Sequence, residues 1–102
     1  MKRMKKEKAK EIAKDFFKDM NPNFWNGGGK MPETFLEGTW EYNLTEDIIL
    51  EITMVYDDCE SKWKHYCDLV QRNDSIDMAT GSGSDSISNL ADTIMYLCKI
   101  FE

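Results

Sequence analysis

Four stretches of the 102-residue chain carry residue types that could do chemistry. In the first, Gly81-Ser82-Gly83-Ser84-Asp85-Ser86, two glycines in a serine-rich run lead into an apolar-periodic segment. Glycines ahead of a helix can present backbone N–H groups to a phosphate. Here Asp77, Asp85 and Asp92 crowd the stretch, and no Lys or Arg lies between Arg72 and Lys99, so an anion would be repelled. The expectation is a structural strand-to-helix turn, with Ser84 or Asp85 as the N-cap that accepts an orphan N–H. The second stretch, Gly27-Gly28-Gly29-Lys30, invites a Walker reading. That motif needs a glycine five residues before its last glycine and Ser or Thr after the lysine, where Phe24 and Met31 stand. Phe24 and Trp25 read instead as apolar plugs at the end of a helix.

The third group is Cys59, His65, Cys67 and Cys98, the ingredients of a Cys₃His zinc site. A C-x₅-H-x-C spacing matches no zinc ribbon, and an odd complement of 3 cysteines does not make a disulfide framework. Free thiols in a cytoplasm, with no metal and no other cofactor, are expected. His65 is the only histidine, so any histidine dyad or triad would depend on it. On the apolar face of a strand it reads as a satisfied core residue. The fourth group, the acid pairs Glu46-Asp47 and Asp57-Asp58, marks hairpin turns and strand ends more naturally than general acid–base machinery. No catalytic residue is assigned, and the chain reads as a non-enzyme.

Few elements are available to position these residues. The length suits one domain over residues 1–102, burying roughly 65% of the unfolded surface. No apolar run approaches the ~20 residues of a membrane span, and no secretory pattern opens the chain. Apolar residues at 9, 12, 13, 16, 17 and 20 predict a helix over 4–20, closed by Asn21-Pro22. Residues 21–37 form a loop, and antiparallel strands fill 38–80, near 38–44, 48–56, 62–72 and 75–80. Segment 59–72 fits either a helix, lined by Cys59, Trp63, Tyr66, Cys67 and Val70, or a strand, lined by Trp63, His65, Cys67 and Leu69. The strand is preferred because Asn73-Asp74 then makes a two-residue turn. That hairpin would align Cys67 and Leu69 with Ile76 and Met78, and Asp68 and Val70 with Asp77 and Ala79. A second helix fills 84–101. The fold class is α+β: an antiparallel sheet of three to four strands, with both helices packed on one face.

Charge points to partners. The net charge of −6 divides into a surplus of +5 over residues 1–30, a segment that opens with a basic amphipathic helix at 1–20, and −11 over residues 31–102. The open face of the sheet would present Glu41, Asn43, Glu51, Thr53, Val55, Lys64, Tyr66, Asp68, Arg72 and Asp77. Of these, Glu41, Glu51, Val55, Tyr66, Asp68 and Asp77 are the candidate partner-binding residues, with Asp57 and Asp58 at a strand end. Exposed apolar groups among acids suit a contact surface, where aromatics anchor and charge steers.

Two resemblances bear on function. The order of strands, glycine turn and helix in the C-terminal part of the chain resembles a double-stranded-RNA-binding domain. That family opens its last helix with lysines, whereas Ser84-Asp85-Ser86-Ile87-Ser88 carries an acid and none, so no RNA role carries over. Over its whole length, in size, acidity and architecture, the chain resembles the inhibitors that phages and plasmids direct against host defence, anti-CRISPR proteins in particular. That family shares no motif, so no residue is carried over. The resemblance implies a nucleic-acid mimic in the host cytoplasm that blocks a basic groove on an effector such as Cas9. Neither a membrane nor direct nucleic acid is an expected partner, and a homodimer is left open. The alternatives are an immunity protein against a basic toxin and a DNA-binding regulator using its basic N-terminal helix.

Overall fold

The apolar spacing near the N-terminus folds into helix α1, Lys6–Met20. In the computed structural model, residues 4–20, 39–74 and 76–101 are described. The loop over 21–37, with Phe24, Trp25 and the Gly27–Lys30 run, lies outside them. Ala9, Ile12, Ala13, Phe16 and Phe17 are fully buried along one side of α1. On its exposed side Lys6, Lys10, Lys14 and Lys18 recur every fourth residue, each followed by an acid (Glu7, Glu11, Asp15, Asp19). Lys2, Arg3 and Lys5 precede the helix in sequence, and Glu7 lies in its first turn, where the dipole favours an acid.

Strands β1 (Thr39–Asn43), β2 (Ile48–Asp57), β3 (Lys62–Gln71) and β4 (Ile76–Gly83) form one sheet in the order β1-β2-β3-β4. All neighbours are antiparallel. Helix α2 (Ile87–Leu97) follows and tightens into a 3₁₀ turn over Cys98–Phe101. The class is α+β. Period-2 alternation places Leu50, Ile52, Met54, His65, Cys67 and Leu69 on the buried inner face. Ile87, Leu90, Ala91, Ile94 and Leu97 of α2 and the apolar side of α1 join them in one core. Each fully buried Leu, Ile or Phe contributes roughly 1.5–3 kcal/mol. On β1 the Trp40 ring meets Phe16 edge-on at 5.7 Å, and its indole N–H donates to Asp19 at 3.0 Å, tying α1 to the sheet. No helix among the described residues is long and apolar enough to cross a membrane.

Segment 62–71 is strand, as the turn argument expects, but its pairing with β4 differs from the expected register. Leu69 faces Ala79 and Asp68 faces Thr80, with an irregularity between Leu69 and Val70. Met78 is the extra residue of a bulge, so Ala79 turns inward and the hairpin alignment of Leu69 with Met78 is corrected. The link is also longer than two residues: β3 stops at Gln71 and β4 starts at Ile76.

The glycines are corrected too. Gly81 and Gly83 are strand residues, the end of β4, not the turn into the helix. A Cβ on Gly83 would overlap Asn89 Oδ1 and lie 2.7 Å from His65 Cε1, and one on Gly81 would come 3.0 Å from Thr93 Cγ2. Glycine here lets α2 approach the sheet; it does not cradle a ligand. The N-cap is Ser86 rather than Ser84 or Asp85, with its hydroxyl accepting the Asn89 N–H at 3.1 Å.

Candidate functional site: the acidic outer face of the sheet

Each strand alternates between faces, so the register sets which side chains meet on the open side. Glu41 lies directly opposite Glu51, and Glu51 directly opposite Asp68. The rung ends at Thr80, which faces Asp68 from β4. Three carboxylates thus stand side by side across adjacent strands, ~4.8 Å from one to the next. Asp77 occupies the next row, opposite Val70. On the other side lies a neutral row, Thr39–Thr53–Tyr66–Ser82, whose two threonine hydroxyls are 3.1 Å apart. Beyond it Val55 pairs with Lys64. Val55 and Tyr66 are 45% and 47% exposed, apolar groups open to contact beside the acids.

Electrostatics mark the rung as uncomfortable. Partial burial, then the neighbouring charges of Glu41, Asp68 and Asp77, push the Glu51 carboxyl above its ordinary value. Burial and the charge of Asp77 do the same for Asp68. Like charges directly opposite on a sheet are destabilising, and among the described residues no base forms an ion pair with this rung.

The other candidate acids are arranged differently. Asp57 accepts N–H groups from Cys59 at 2.9 Å and Glu60 at 3.2 Å, capping the β2–β3 turn. It also pairs with Lys64 at 3.0 Å, and Lys64 reaches Glu60 as well. The hydrogen bond from Lys64 holds the Asp57 and Glu60 carboxyls below their usual values and raises the lysine. Asp58 is exposed in the same turn. Asp57 and Asp58 therefore sit at the hairpin end, apart from the rung. At the opposite end Arg72 donates to the Glu46 carbonyl at 3.0 Å and to the Asn43 side chain, bracing the β1–β2 turn.

The inner face holds one polar node. His65 is fully buried; its Nδ1–H donates to the Ser84 carbonyl at 2.5 Å, and Nε2 lies 2.7 Å from Thr93 Oγ1. Burial lowers the imidazole pKa, which favours the neutral ring, and its Nε2 shares the Thr93 hydroxyl hydrogen with the Asn89 carbonyl, 3.2 Å from Thr93 Oγ1. Thr93 is a site residue that the apolar-position count passes over, although it lies three and four residues from Leu90 and Leu97 on the buried stripe. Cys59 is exposed, Cys67 and Cys98 are buried, and all three are free thiols. Burial raises the Cys67 thiol to about 12 and Cys98 to about 11, which keeps them protonated and unreactive. Among the described residues no cluster of three or more His, Cys, Asp or Glu could hold a metal ion.

No protein-family model matches the chain, and neither a curated protein nor a solved structure does.

Proposed function

We propose that the chain is a binding protein, not a catalyst, whose acidic outer sheet face occupies a basic nucleic-acid-binding groove on a protein partner. The proposed role is inhibition of the anti-CRISPR type, exercised in the host cytoplasm against an effector such as Cas9. The observation that carries it is the Glu41–Glu51–Asp68 rung. Its self-repulsion is relieved when Arg or Lys side chains come between the carboxylates, so a basic partner receives a surface already arranged to gain from it. Carboxylates ~4.8 Å apart within a rung and same-face neighbours ~6.7 Å apart along a strand resemble the spacing of successive phosphates on a nucleic-acid strand. Val55 and Tyr66 supply the anchors.

The competing DNA-binding reading loses support at α1. Within Lys6–Met20, Lys6, Lys8, Lys10, Lys14 and Lys18 are offset by Glu7, Glu11, Asp15 and Asp19. The helix is nearly neutral, with stripes of both signs.

The test measures binding of the purified protein to naked duplex DNA and to a candidate Cas9 effector at two salt concentrations. The expected result is effector binding that competes with nucleic acid and weakens with salt. Reversing Glu51 and Asp68 together should cost about 2–5 kcal/mol of that binding, and reversing Glu46, exposed in a turn, under about 1 kcal/mol. Tight DNA binding that vanishes with residues 1–8, and no effector binding, would sink the proposal.

A further inference from the structure

Strand β4 is one of the two edges of the sheet, and a groove runs beside it under α2. One part, about 420 Å³, is lined by Ala79 and Thr80 on the strand side and Tyr96, Lys99 and Ile100 on the helix side. The next, about 260 Å³, is lined by Gly81, Ser82, Asp92, Thr93 and Tyr96. Tyr96 belongs to both and is 64% exposed. Free edges are normally blocked by charge, proline or a bulge. Here the bulge sits at Met78, and residues 79–83 carry neither a charge nor a proline. Ile76 (55% exposed), Met78 (38%) and Ile100 (48%) add exposed apolar surface at one end.

We infer that this edge binds a second copy of the chain, β4 against β4, antiparallel about a two-fold axis, with the two α2 helices alongside each other. The charge order on α2 selects this occupant. Helix α2 runs antiparallel to β4: Asp92 lies beside Gly81 and Ser82, and Lys99 beside Ala79 and Thr80. Asp92, Tyr96 and Lys99 therefore follow one another along the groove. A two-fold beside Tyr96 brings Asp92 of each copy to Lys99 of the other and sets the tyrosines together at the centre. The pattern is its own complement. The seam agrees. Antiparallel partners share a face, so pairing centred on Thr80 sets Thr80 against Thr80 of the second copy on the outer side. On the inner side the small residues Gly81 and Ala79 meet beneath Tyr96. Asp77, on the outer face beyond the Met78 bulge, then falls beside Ser82 of the second copy, so no acid opposes an acid across the seam. In the resulting eight-stranded sheet the two acidic rungs share one continuous face.

Sedimentation of the full chain without any partner tests this, so its outcome is independent of whether the acidic face binds a basic groove. The expected result is a concentration-dependent species of twice the 11.9 kDa chain mass. Asp92→Lys or Lys99→Glu alone should weaken it roughly tenfold, because two exposed pairs are lost and turned repulsive. The double variant should restore it. Thr80→Lys, which sets two lysines face to face, should leave only monomer. A chain that stays monomeric as concentration rises, or a dimer that charge reversal neither weakens nor rescues, overturns the inference. So does a monomer that instead takes up an extended peptide along β4, shown by new amide protection at residues 79–83.

Discussion

Two buried or half-buried groups govern how individual residues respond to pH. His65 is neutral in the fold, with a lowered pKa, so on acidification the unfolded chain takes up its proton first. Stability held above the unfolded value is then lost as pH falls through ~6.5, which urea unfolding at pH 7.5 and 5.5 would show. Thr93→Val strips Nε2 of its donor and should cost about 1–3 kcal/mol. Glu51 has the opposite sign. Its raised pKa means that the folded state takes up the proton first, so acidification relieves the rung. Glu51→Gln should therefore stabilise the protein by about 0.5 kcal/mol at neutral pH, an advantage that closes as pH falls toward ~4.5. The same substitution should weaken a basic partner. A variant that gains stability and loses binding would separate this rung from an ordinary solvated surface, where neither quantity moves.

At the scale of elements, the junction of β4 and α2 carries the most specific packing. Gly83→Ala would drive a methyl group into Asn89 and His65, whereas at Gly81 the nearest atoms, Thr93 Cγ2 at 3.0 Å and Leu97 Cδ2 at 3.4 Å, leave a much milder approach. Thermal or urea unfolding should show a loss of about 1–3 kcal/mol at Gly83 and clearly less at Gly81. Ser86→Ala removes the cap and should cost about 1 kcal/mol. This junction is also where the sequence was least legible. Periodicity finds the helices and strands because Ile12, Phe16, Leu50, Ile52, Leu90 and Ile94 repeat with the element that buries them. It likewise puts Glu41, Glu51 and Asp68 on one face. What it misses depends on contacts distant in sequence. Glycine in Gly81-Ser82-Gly83 looks like a turn, but the need for it comes from side chains on β3 and α2. The bulge at Met78 shifts β4 by one residue, and no local signal announces it. That Asp57 is neutralised depends on Lys64, a base on the neighbouring strand whose partner only the register reveals.

Across the whole molecule, the helix layer carries paired stripes of both signs while the sheet turns its carboxylates to the opposite side. The body measures 35 × 26 × 22 Å, and under the proposed function this polarity would turn the acidic face toward a basic groove, so association should slow steeply with salt while dissociation changes less. Stopped-flow rates at two ionic strengths would check this. The chain order has a further consequence. Every strand pairs with its sequence neighbour, so the sheet can assemble as successive hairpins during synthesis. Of the two helices that cover it, α1 precedes and α2 follows the strands in sequence, and they pack on each other. Leu50, Ile52 and Leu69 therefore lack the cover of α2 until the chain has been made through Phe101. A chain cut after Gly83 should lack a cooperative unfolding transition and be degraded quickly. In the cell, synthesis halted before Ile87 would leave a four-stranded sheet without α2, and the residues from Ile87 to Phe101 take about 1–3 s to make, an interval in which the nascent chain is exposed to chaperones and proteases.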